Sequence, residues 1–333
     1  ALQSVSTLLG LNVADSKKCS CLELGSSFGG NILSQALFNP ESKFVGIDLT
    51  EEQVKIGNEI IEYIGLDNIK LYAKNILDID EDFGKFDYIT VHGVYSWVPD
   101  NVKDKILEIL KTNLNDDGIG YISYNTYPGW KRLEQLRDIM LYSEKHAPHD
   151  SLKDRTVYTK NVLKLIAETM KMDERSRVYS DYKIKNINRV LHSNDYYVGH
   201  EYLESYNDPV YVSQFVKWAE QQGCTYIGDE SLQRSFITWL DDAVVENITA
   251  LSQGNHVDKE QYYDYYDYVY DTQFRMALLT KPINEDMINR DETITIDTLN
   301  SLYFYTALDE YDGAPPEWQD KSYISIKQLM DLR

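Results

Sequence analysis

The fold is decided by the stretch Cys21-Leu-Glu-Leu-Gly25-Ser-Ser-Phe-Gly29-Gly30-Asn31, which is followed by Phe44-Val-Gly-Ile-Asp48-Leu49. A short apolar strand that contains an acid leads into a glycine-rich turn, and a second short strand ends in another acid. Asp48 lies 23 residues beyond Gly25. This order and spacing are typical of the first half of a nucleotide-binding α/β sheet, where the turn admits a ligand to the backbone and the second acid accepts ribose hydroxyls.

Strand and helix patterns alternate beyond this stretch. Helix Glu51–Ile64 is predicted to begin with a capping box of Thr50 and Gln53 and to end at Gly65, and Asp116-Asp117-Gly118 is predicted to form a turn. The five predicted strands are Cys19–Leu24, Phe44–Asp48, Ile69–Ala73, Phe86–His92 and Ile119–Tyr124. The alternation predicts an α/β fold, a Rossmann-like, doubly wound and mostly parallel sheet.

The pattern changes after Trp130, where the chain becomes helical up to about Leu191. A helix near Val210–Gln222 and a strand at Cys224–Ile227 then follow, which could supply a sixth strand of the sheet. We therefore predict one sheet domain from residues 1–132 and about 192–235, with a helical insertion at 133–191. Residues 236–333 are predicted to begin a further helical domain that continues beyond this chain.

Composition limits the classes of function. The net charge of −21 in 333 residues disfavours binding to nucleic-acid backbones and favours basic partners such as lysine-bearing peptides. Solubility alone is an equally good explanation of this charge. The three cysteines show no disulfide-framework spacing, which predicts a reducing, cytoplasmic location. No apolar run is long enough to predict a membrane span. The initial Ala1 suggests a piece of a longer protein.

The glycine spacing favours one cofactor over another. The pattern Glu-x-Gly-x-x-x-Gly, with Ser27 where a dinucleotide fingerprint often has a middle glycine, suits S-adenosylmethionine better than a pyrophosphate. Asn75 and Ile76 follow the third strand and can reach an adenine edge, with Asp78 as the alternative because many methyltransferases have Asp in place of Asn75. The predicted cofactor residues are Glu23, Gly25, Ser26, Gly29, Asn31, Asp48, Leu49, Gln53, Asn75, Ile76, His92 and Gly93.

Several longer blocks make the resemblance specific. They are Glu23-Leu-Gly-Ser-Ser-Phe-Gly-Gly-Asn31, His92-Gly-Val-Tyr-Ser-Trp-Val-Pro99, Ser123-Tyr-Asn-Thr-Tyr-Pro-Gly-Trp130, His200-Glu-Tyr-Leu-Glu-Ser-Tyr-Asn-Asp-Pro-Val-Tyr211 and Phe274-Arg-Met-Ala-Leu-Leu279. Together they resemble the bacterial methyltransferases that carry a methyltransferase regulatory domain, among them the rickettsial protein-lysine methyltransferases that modify outer-membrane protein B. The resemblance implies methyl transfer from S-adenosylmethionine to protein lysines, a large open cavity, and a homodimer that uses the helical insertion.

A lysine acceptor adds a chemical requirement, because its ammonium has a reference pKa of about 10.4 and must lose a proton before it attacks. Burial against tyrosines lowers the pKa of an amine. The chain lacks the Asn/Asp-Pro-Pro-Tyr motif of many amine methyltransferases, so we predict instead a slot lined by Tyr95, Tyr124, Asn125 and Tyr127, without a strong general base. His200 is a further candidate, which either faces the site or caps a helix.

Other interpretations stay open. A small-molecule methyltransferase would use the same sheet with a closed, mostly apolar pocket, and a non-catalytic binding module would keep the fold without binding the cofactor. Trp97 and Trp130 fit either core packing or a substrate channel. The tyrosine-rich run Gln261–Asp271 is interpreted as a packed helix end rather than a binding surface. His146 and His149 are interpreted as loop residues and not metal ligands, so no metal is predicted.

Overall fold

The computed structural model of the chain describes residues 2–148, 151–172, 177–236, 240–252, 259–290 and 292–302. Its strands are β1 Ser20–Leu24, β2 Lys43–Asp48, β3 Ile69–Ala73, β4 Phe86–Val91, β5 Leu114–Asn125, β6 Thr225–Asp229 and β7 Phe274–Thr280. Its helices are α1 Leu2–Leu8, α2 Gly30–Phe38, α3 Glu51–Ile64, α4 Asp100–Asn113, α5 Lys131–Glu144, α6 Leu152–Met172, α7 Arg177–His192, α8 Asp195–Leu203, α9 Val212–Gln221, α10 Leu232–Ser235, α11 Asp242–Leu251, α12 Lys259–Tyr270 and α13 Ile296–Asn300. Short 3₁₀ turns lie at Ile76–Asp78, Glu81–Phe83, Tyr95–Trp97 and Pro282–Met287.

The seven strands form one sheet in the order β3-β2-β1-β4-β5-β7-β6. The first five strands in that order are parallel, and β7 runs antiparallel to both β5 and β6. The strand order reverses between β1 and β4, because β2 and β3 lie on one side of β1 while β4 and β5 lie on the other. Open α/β sheets bind ligands at such a point, outside the carboxyl ends of the strands. The predicted Rossmann-like, mostly parallel α/β fold is confirmed.

The last strand of the sheet corrects one expectation. The sequence predicts a helical domain over residues 236–333, but Phe274–Thr280 forms β7 and fills the position between β5 and β6. Its sequence is a nearly continuous apolar run without alternation, which periodicity cannot distinguish from a buried helix. Residues 274–280 therefore belong to the sheet, and the rest of the predicted domain division stays a prediction.

Two local predictions are also wrong. Asp116-Asp117-Gly118 forms no separate turn, because β5 already begins at Leu114 and continues through it. Helix α3 begins after Thr50 and ends at Gly65 with φ 80° as predicted, but the Thr50 side chain makes no capping hydrogen bond. The Thr50 backbone N–H instead donates to Asp48 Oδ1 at 2.9 Å, so the acid at the end of β2 organises this helix start.

Within the described residues, the buried side chains form three core clusters. Alternate residues of the strands point to opposite faces, so Ile89 and Ile122 belong to one cluster while Tyr88 and Ile119 belong to another. A third cluster joins α5, α6, α7 and α8, with Met140, among others, buried. The helices between β5 and α9 thus have a core of their own. None of the helices in the described ranges has the length and apolar composition that a bilayer crossing requires.

A buried charge network fixes β6 and β7 to α12. The Arg275 side chain is fully buried, and its Nε and Nη2 donate to the two carboxylate oxygens of Asp267, each at 2.8 Å. Arg275 Nη1 lies 3.5 Å from Asp229 Oδ2, at the end of β6. The tyrosine-rich run forms α12, in which Tyr262, Tyr263 and Tyr266 are buried, in agreement with its interpretation as a packed helix.

We expect Gly57→Ala to destabilise the protein although alanine favours helices. A Cβ at Gly57 would lie 2.4 Å from Leu71 Cδ1 and 2.6 Å from the backbone oxygen of Phe28, so α3 would have to move away from the sheet. Such overpacking costs about 1–3 kcal/mol, which urea unfolding measures.

Gly30→Ala is the matched control. Gly30 is exposed at the start of α2, and a Cβ there meets no atom within 4 Å, so we expect a gain of up to about 1 kcal/mol. Equal stability changes in the two variants would contradict the close approach of α3 to the glycine turn.

Candidate functional site

The glycine turn after β1 has positive φ angles, which residues other than glycine rarely adopt. Gly25 and Gly29 have φ of 79° and 81°, and Ser27 between them has φ of 50°. A Cβ at Gly25 would lie 2.4 Å from Val94 Cγ2. The N–H groups of Gly25 and Ser26 donate to the Ile47 carbonyl at 2.8 and 2.9 Å, so β2 fixes the turn in place.

Asp48 faces this turn from the end of β2. Its Oδ2 accepts a hydrogen bond from the Ser27 N–H at 2.8 Å, and its Oδ1 accepts the bond from Thr50 described above. The carboxylate is half-buried, and each of its oxygens keeps acceptor capacity for one more donor. The structure thus brings Asp48 beside the turn, as the spacing predicted.

Glu23 is the buried acid of β1. Its residue is only 4% exposed, and its Oε1 accepts a hydrogen bond from Asn31 Nδ2 at 2.6 Å. Its Oε2 is buried, and no group of the described residues forms a hydrogen bond with it. Burial raises the pKa of Glu23 to about 7. An unpartnered carboxylate oxygen at this position fits a ligand that brings a cationic group.

The remaining predicted cofactor residues differ in how they are used. The Asn75 side chain accepts the Leu77 N–H at 3.0 Å and so caps a 3₁₀ turn, with the half-buried Ile76 following it. Leu49 is 71% exposed, and Asp78 is exposed as well. Gln53 is half-buried in the first turn of α3, and Ser26 is buried. The Gly93 N–H donates to Ser123 Oγ at 2.9 Å.

A cavity of about 240 Å³ opens at the carboxyl ends of the central strands. Helices α1 and α2, strands β4, β5 and β7, and the positions directly after β4 and β6 contribute to its wall. The wall residues are Leu2, Asn31, Gln35, Thr90, His92, Tyr121, Glu230 and Met276. Asn31, which binds Glu23, is one of them. The cavity therefore adjoins the glycine-turn part of the site.

His92 and Tyr121 form a pair in the cavity wall. His92 Nδ1 lies 2.9 Å from the Tyr121 hydroxyl, and their rings are stacked with centroids 5.9 Å apart. Burial lowers the pKa of His92, which favours its neutral imidazole. Burial and the nearby charge of Glu230 raise the pKa of Tyr121, so its hydroxyl stays protonated.

The structure does not assemble the predicted lysine slot in an open site. Tyr95 and Tyr124 are 0% and 1% exposed and belong to a core cluster, where both pack against Phe215. Their hydroxyls have no hydrogen-bond partner in the part of the chain that the structure describes. These two tyrosines serve packing in the described conformation.

The other candidates also lie outside the cavity wall. Asn125 is buried, and its Nδ2 donates to Asn207 Oδ1 at 3.0 Å, while the Tyr127 hydroxyl donates to Glu134. His200 packs on Trp97 with ring centroids 4.7 Å apart, and its Nδ1 lies 3.8 Å from Glu204 Oε1. Trp130 is buried in the third core cluster.

Six residues of the cavity wall were not among the residues predicted from the sequence, and they are Leu2, Gln35, Thr90, Tyr121, Glu230 and Met276. On β5 the side chains of Tyr121 and Ser123 share one face, while Ile122 and Tyr124 share the other, so counting by two from Ser123 could have found Tyr121. No comparable signal marks Glu230 and Met276, because both depend on the pairing of β6 with β7. Among the described residues no group of three or more His, Cys, Asp or Glu side chains could hold a metal ion, and His149 lies outside them.

Comparison with protein families gives two matches. A family described as "Methyltransferase domain" matches residues 15–198, and one described as "Predicted methyltransferase regulatory domain" matches residues 194–281. Two curated proteins of Rickettsia prowazekii, both described as uncharacterized, are similar. RP789 is 34% identical over 87% of this chain and 50% of that protein, and RP028 is 37% identical over 66% of this chain and 87% of that protein.

A solved structure is also similar. It is "The structure of PKMT2 from Rickettsia typhi in complex with AdoHcy", which matches with a TM-score of 0.80 and 33% identity over 91% of this chain and 56% of PKMT2. The present chain thus spans about half the length of RP789 and of PKMT2. The family resemblance that the sequence motifs indicated is confirmed.

The buried Glu23 predicts a pH dependence of stability. Its pKa is higher in the folded state than the ordinary 4.5, so the folded protein holds the proton more tightly and loses stability as the pH rises from about 4.5 to about 7. Between pH 4.5 and 8, we expect wild type to lose about 3 kcal/mol relative to Glu23→Gln, measured by urea unfolding. Glu52→Gln, at an exposed position, is the control and should show no such difference from wild type. If the free energies of unfolding of wild type and Glu23→Gln changed in parallel with pH, the burial of this charge would be contradicted.

Proposed function

The chain belongs to the methyltransferase-domain family, and we propose that it transfers methyl groups from S-adenosylmethionine to lysine side chains of a protein substrate. The observation that carries the proposal is the glycine turn flanked by two acids, Glu23 with its unpartnered oxygen and Asp48 with spare acceptor capacity. S-adenosylmethionine presents an ammonium and a ribose diol but no phosphate, which fits two acids beside one tight turn.

Each part of the site has a role toward that cofactor. Glu23 Oε2 would receive the ammonium of its amino-acid tail, the backbone at Gly25 would admit the tail closely, and Asp48 would accept the ribose hydroxyls. Asn75 and Ile76 would border the adenine, as the sequence predicted. The similar PKMT2 was solved with AdoHcy, the demethylated form of the same cofactor, which supports this assignment.

When bound, the cofactor supplies an electrophilic methyl group on a sulfonium. The protein's own residues then have to align an acceptor in line with that group, exclude water and accept a proton from the acceptor amine. None of these tasks needs a covalent enzyme intermediate. They do need a cavity beside the cofactor tail, and the 240 Å³ cavity adjoining Asn31 fits that need.

The lysine acceptor is supported by charge and by similarity. The net charge of −21 attracts cationic segments, and the cavity wall contains the acid Glu230. The sequence resemblance points to a bacterial outer-membrane or surface protein, of the type of outer-membrane protein B, as the substrate. The homodimer and the cytoplasmic location that accompany this resemblance stay predictions.

Calorimetric titration with S-adenosylhomocysteine tests the cofactor site. Asp48→Ala removes the acceptor for two ribose hydroxyls, so we expect a loss of about 3–6 kcal/mol at most, enough to abolish detectable binding. Asp48→Asn keeps one oxygen acceptor and should retain part of the affinity.

Asp82→Ala is the matched control, because Asp82 is exposed in the 3₁₀ turn Glu81–Phe83 and lies in no part of the site described above. A folded Asp48→Ala variant that binds with wild-type affinity would contradict the assignment of Asp48. A folded wild type that does not bind S-adenosylhomocysteine would favour the non-catalytic binding module instead.

A further inference from the structure

We propose that Glu230 and the His92–Tyr121 pair form the acceptor site, where Glu230 attracts the substrate ammonium and His92 takes its proton. The inference rests on the proposed methyl transfer to an amine and assigns that step to particular residues. It replaces the predicted slot of Tyr95 and Tyr124, whose side chains are buried in the core, and it moves His92 from the predicted cofactor residues to the acceptor site.

The position of the cavity is the first argument. Glu230, His92 and Tyr121 line the same cavity as Asn31. The Asn31 amide binds Oε1 of Glu23, whose other oxygen would hold the cofactor ammonium. An acceptor in this cavity is therefore next to the cofactor tail and at the carboxyl ends of the parallel strands, where ligands of such sheets meet.

The charge of the cavity is the second argument. Among the described residues that line the cavity, Glu230 is the one acid, and none is Lys or Arg. The neighbouring guanidinium groups are used elsewhere, since Arg275 binds Asp267 and Asp229 and Arg234 donates to the Phe274 carbonyl at 2.7 Å. The Glu230 charge is thus left without a cation in this part of the described structure, and a substrate ammonium would supply one.

The orientation of His92 is the third argument. The Tyr121 hydroxyl engages Nδ1, which leaves Nε2 for a ligand. Phe274 packs edge-on against the ring with centroids 6.1 Å apart and so restrains its rotation. Besides His92, the cavity wall contains two residues with titratable side chains, Tyr121 and Glu230, and five without, which are Asn31, Gln35, Thr90, Leu2 and Met276. A neutral imidazole at this place can take a proton.

The substrate ammonium gives one proton to His92 Nε2 and becomes a neutral amine, while the positive charge stays as an imidazolium in the cavity that Glu230 also lines. The amine nitrogen then forms a bond to the methyl carbon, and the carbon–sulfur bond breaks with its electron pair remaining on sulfur. The product is a methylated ammonium, and His92 releases its proton to water. Because the positive charge stays inside the cavity, Glu230 is never left uncompensated during the step.

The test uses methyl-labelled S-adenosylmethionine with poly-L-lysine as the acceptor probe, and calorimetric binding of S-adenosylhomocysteine as a second readout. Glu230→Gln should lower kcat/KM roughly tenfold or more, mainly through KM, because the cation loses its attraction. His92→Gln should lower kcat roughly a hundredfold and remove the loss of activity at acid pH that protonation of His92 causes. Tyr121→Phe should shift that acid limb while the stacked ring stays.

Glu220→Gln and His192→Gln, on α9 and α7, are the matched controls and should keep wild-type kinetics. S-adenosylhomocysteine affinity should be unchanged in all these variants. Wild-type kcat/KM in Glu230→Gln and His92→Gln would overturn the inference and leave the proposed function standing, and a loss of S-adenosylhomocysteine binding in these variants would overturn it as well. A wild type that binds S-adenosylhomocysteine but methylates no poly-L-lysine would overturn lysine transfer itself, and the inference with it.

Discussion

The buried guanidinium of Arg275 holds β6 and β7, the last two strands of the sheet, in the positions that the cavity wall requires. Arg275 is fully buried, so its charge is tolerated only because Asp267 and Asp229 surround it. Removing one partner from such a group typically costs about 3–5 kcal/mol, since an uncompensated charge remains in the interior. The network ties α12 to β7 and to the last residue of β6. The next residue, Glu230, donates its N–H to the Met276 carbonyl at 2.8 Å, so the network places two residues of the cavity wall.

The two parts of the site are built in different ways. Glu23, Gly25, Asn31 and Asp48 lie within one strand–turn–helix–strand unit, where parallel pairing of β1 with β2 brings them together. The cavity wall instead collects residues from the ends of four strands and from two helices. The first part is rigid for two local reasons. Gly25 and Gly29 have φ angles that suit glycine, and the turn donates hydrogen bonds to the Ile47 carbonyl of β2. The second part acquires its shape only from tertiary packing.

This difference explains which features were predictable from the sequence. The spacing of Gly25 and Asp48 encodes a local geometry, so the turn, the acid facing it and the parallel sheet could all be inferred. Tyr95 and Tyr124 looked like site residues because they follow β4 and end β5, but the 3₁₀ turn at Tyr95–Trp97 and the alternation along β5 direct both side chains into the core. Phe274–Thr280 carries no periodicity that separates a buried strand from a helix, so β7, and with it the place of Met276, depended on information that only the folded sheet contains.

The insertion of β7 between β5 and β6 has a consequence for synthesis of the protein. Asn125 at the end of β5 pairs with Phe274, about 150 residues later in the chain. While the intervening helices leave the ribosome, the outer edge of β5 has unpaired N–H and carbonyl groups next to apolar side chains such as Ile119 and Ile122. Such an edge readily pairs with other chains, and it is transiently exposed in slow-folding sheets. The nascent protein is therefore most prone to aggregation in the interval before β7 emerges, when the residues of its glycine turn have already been synthesised.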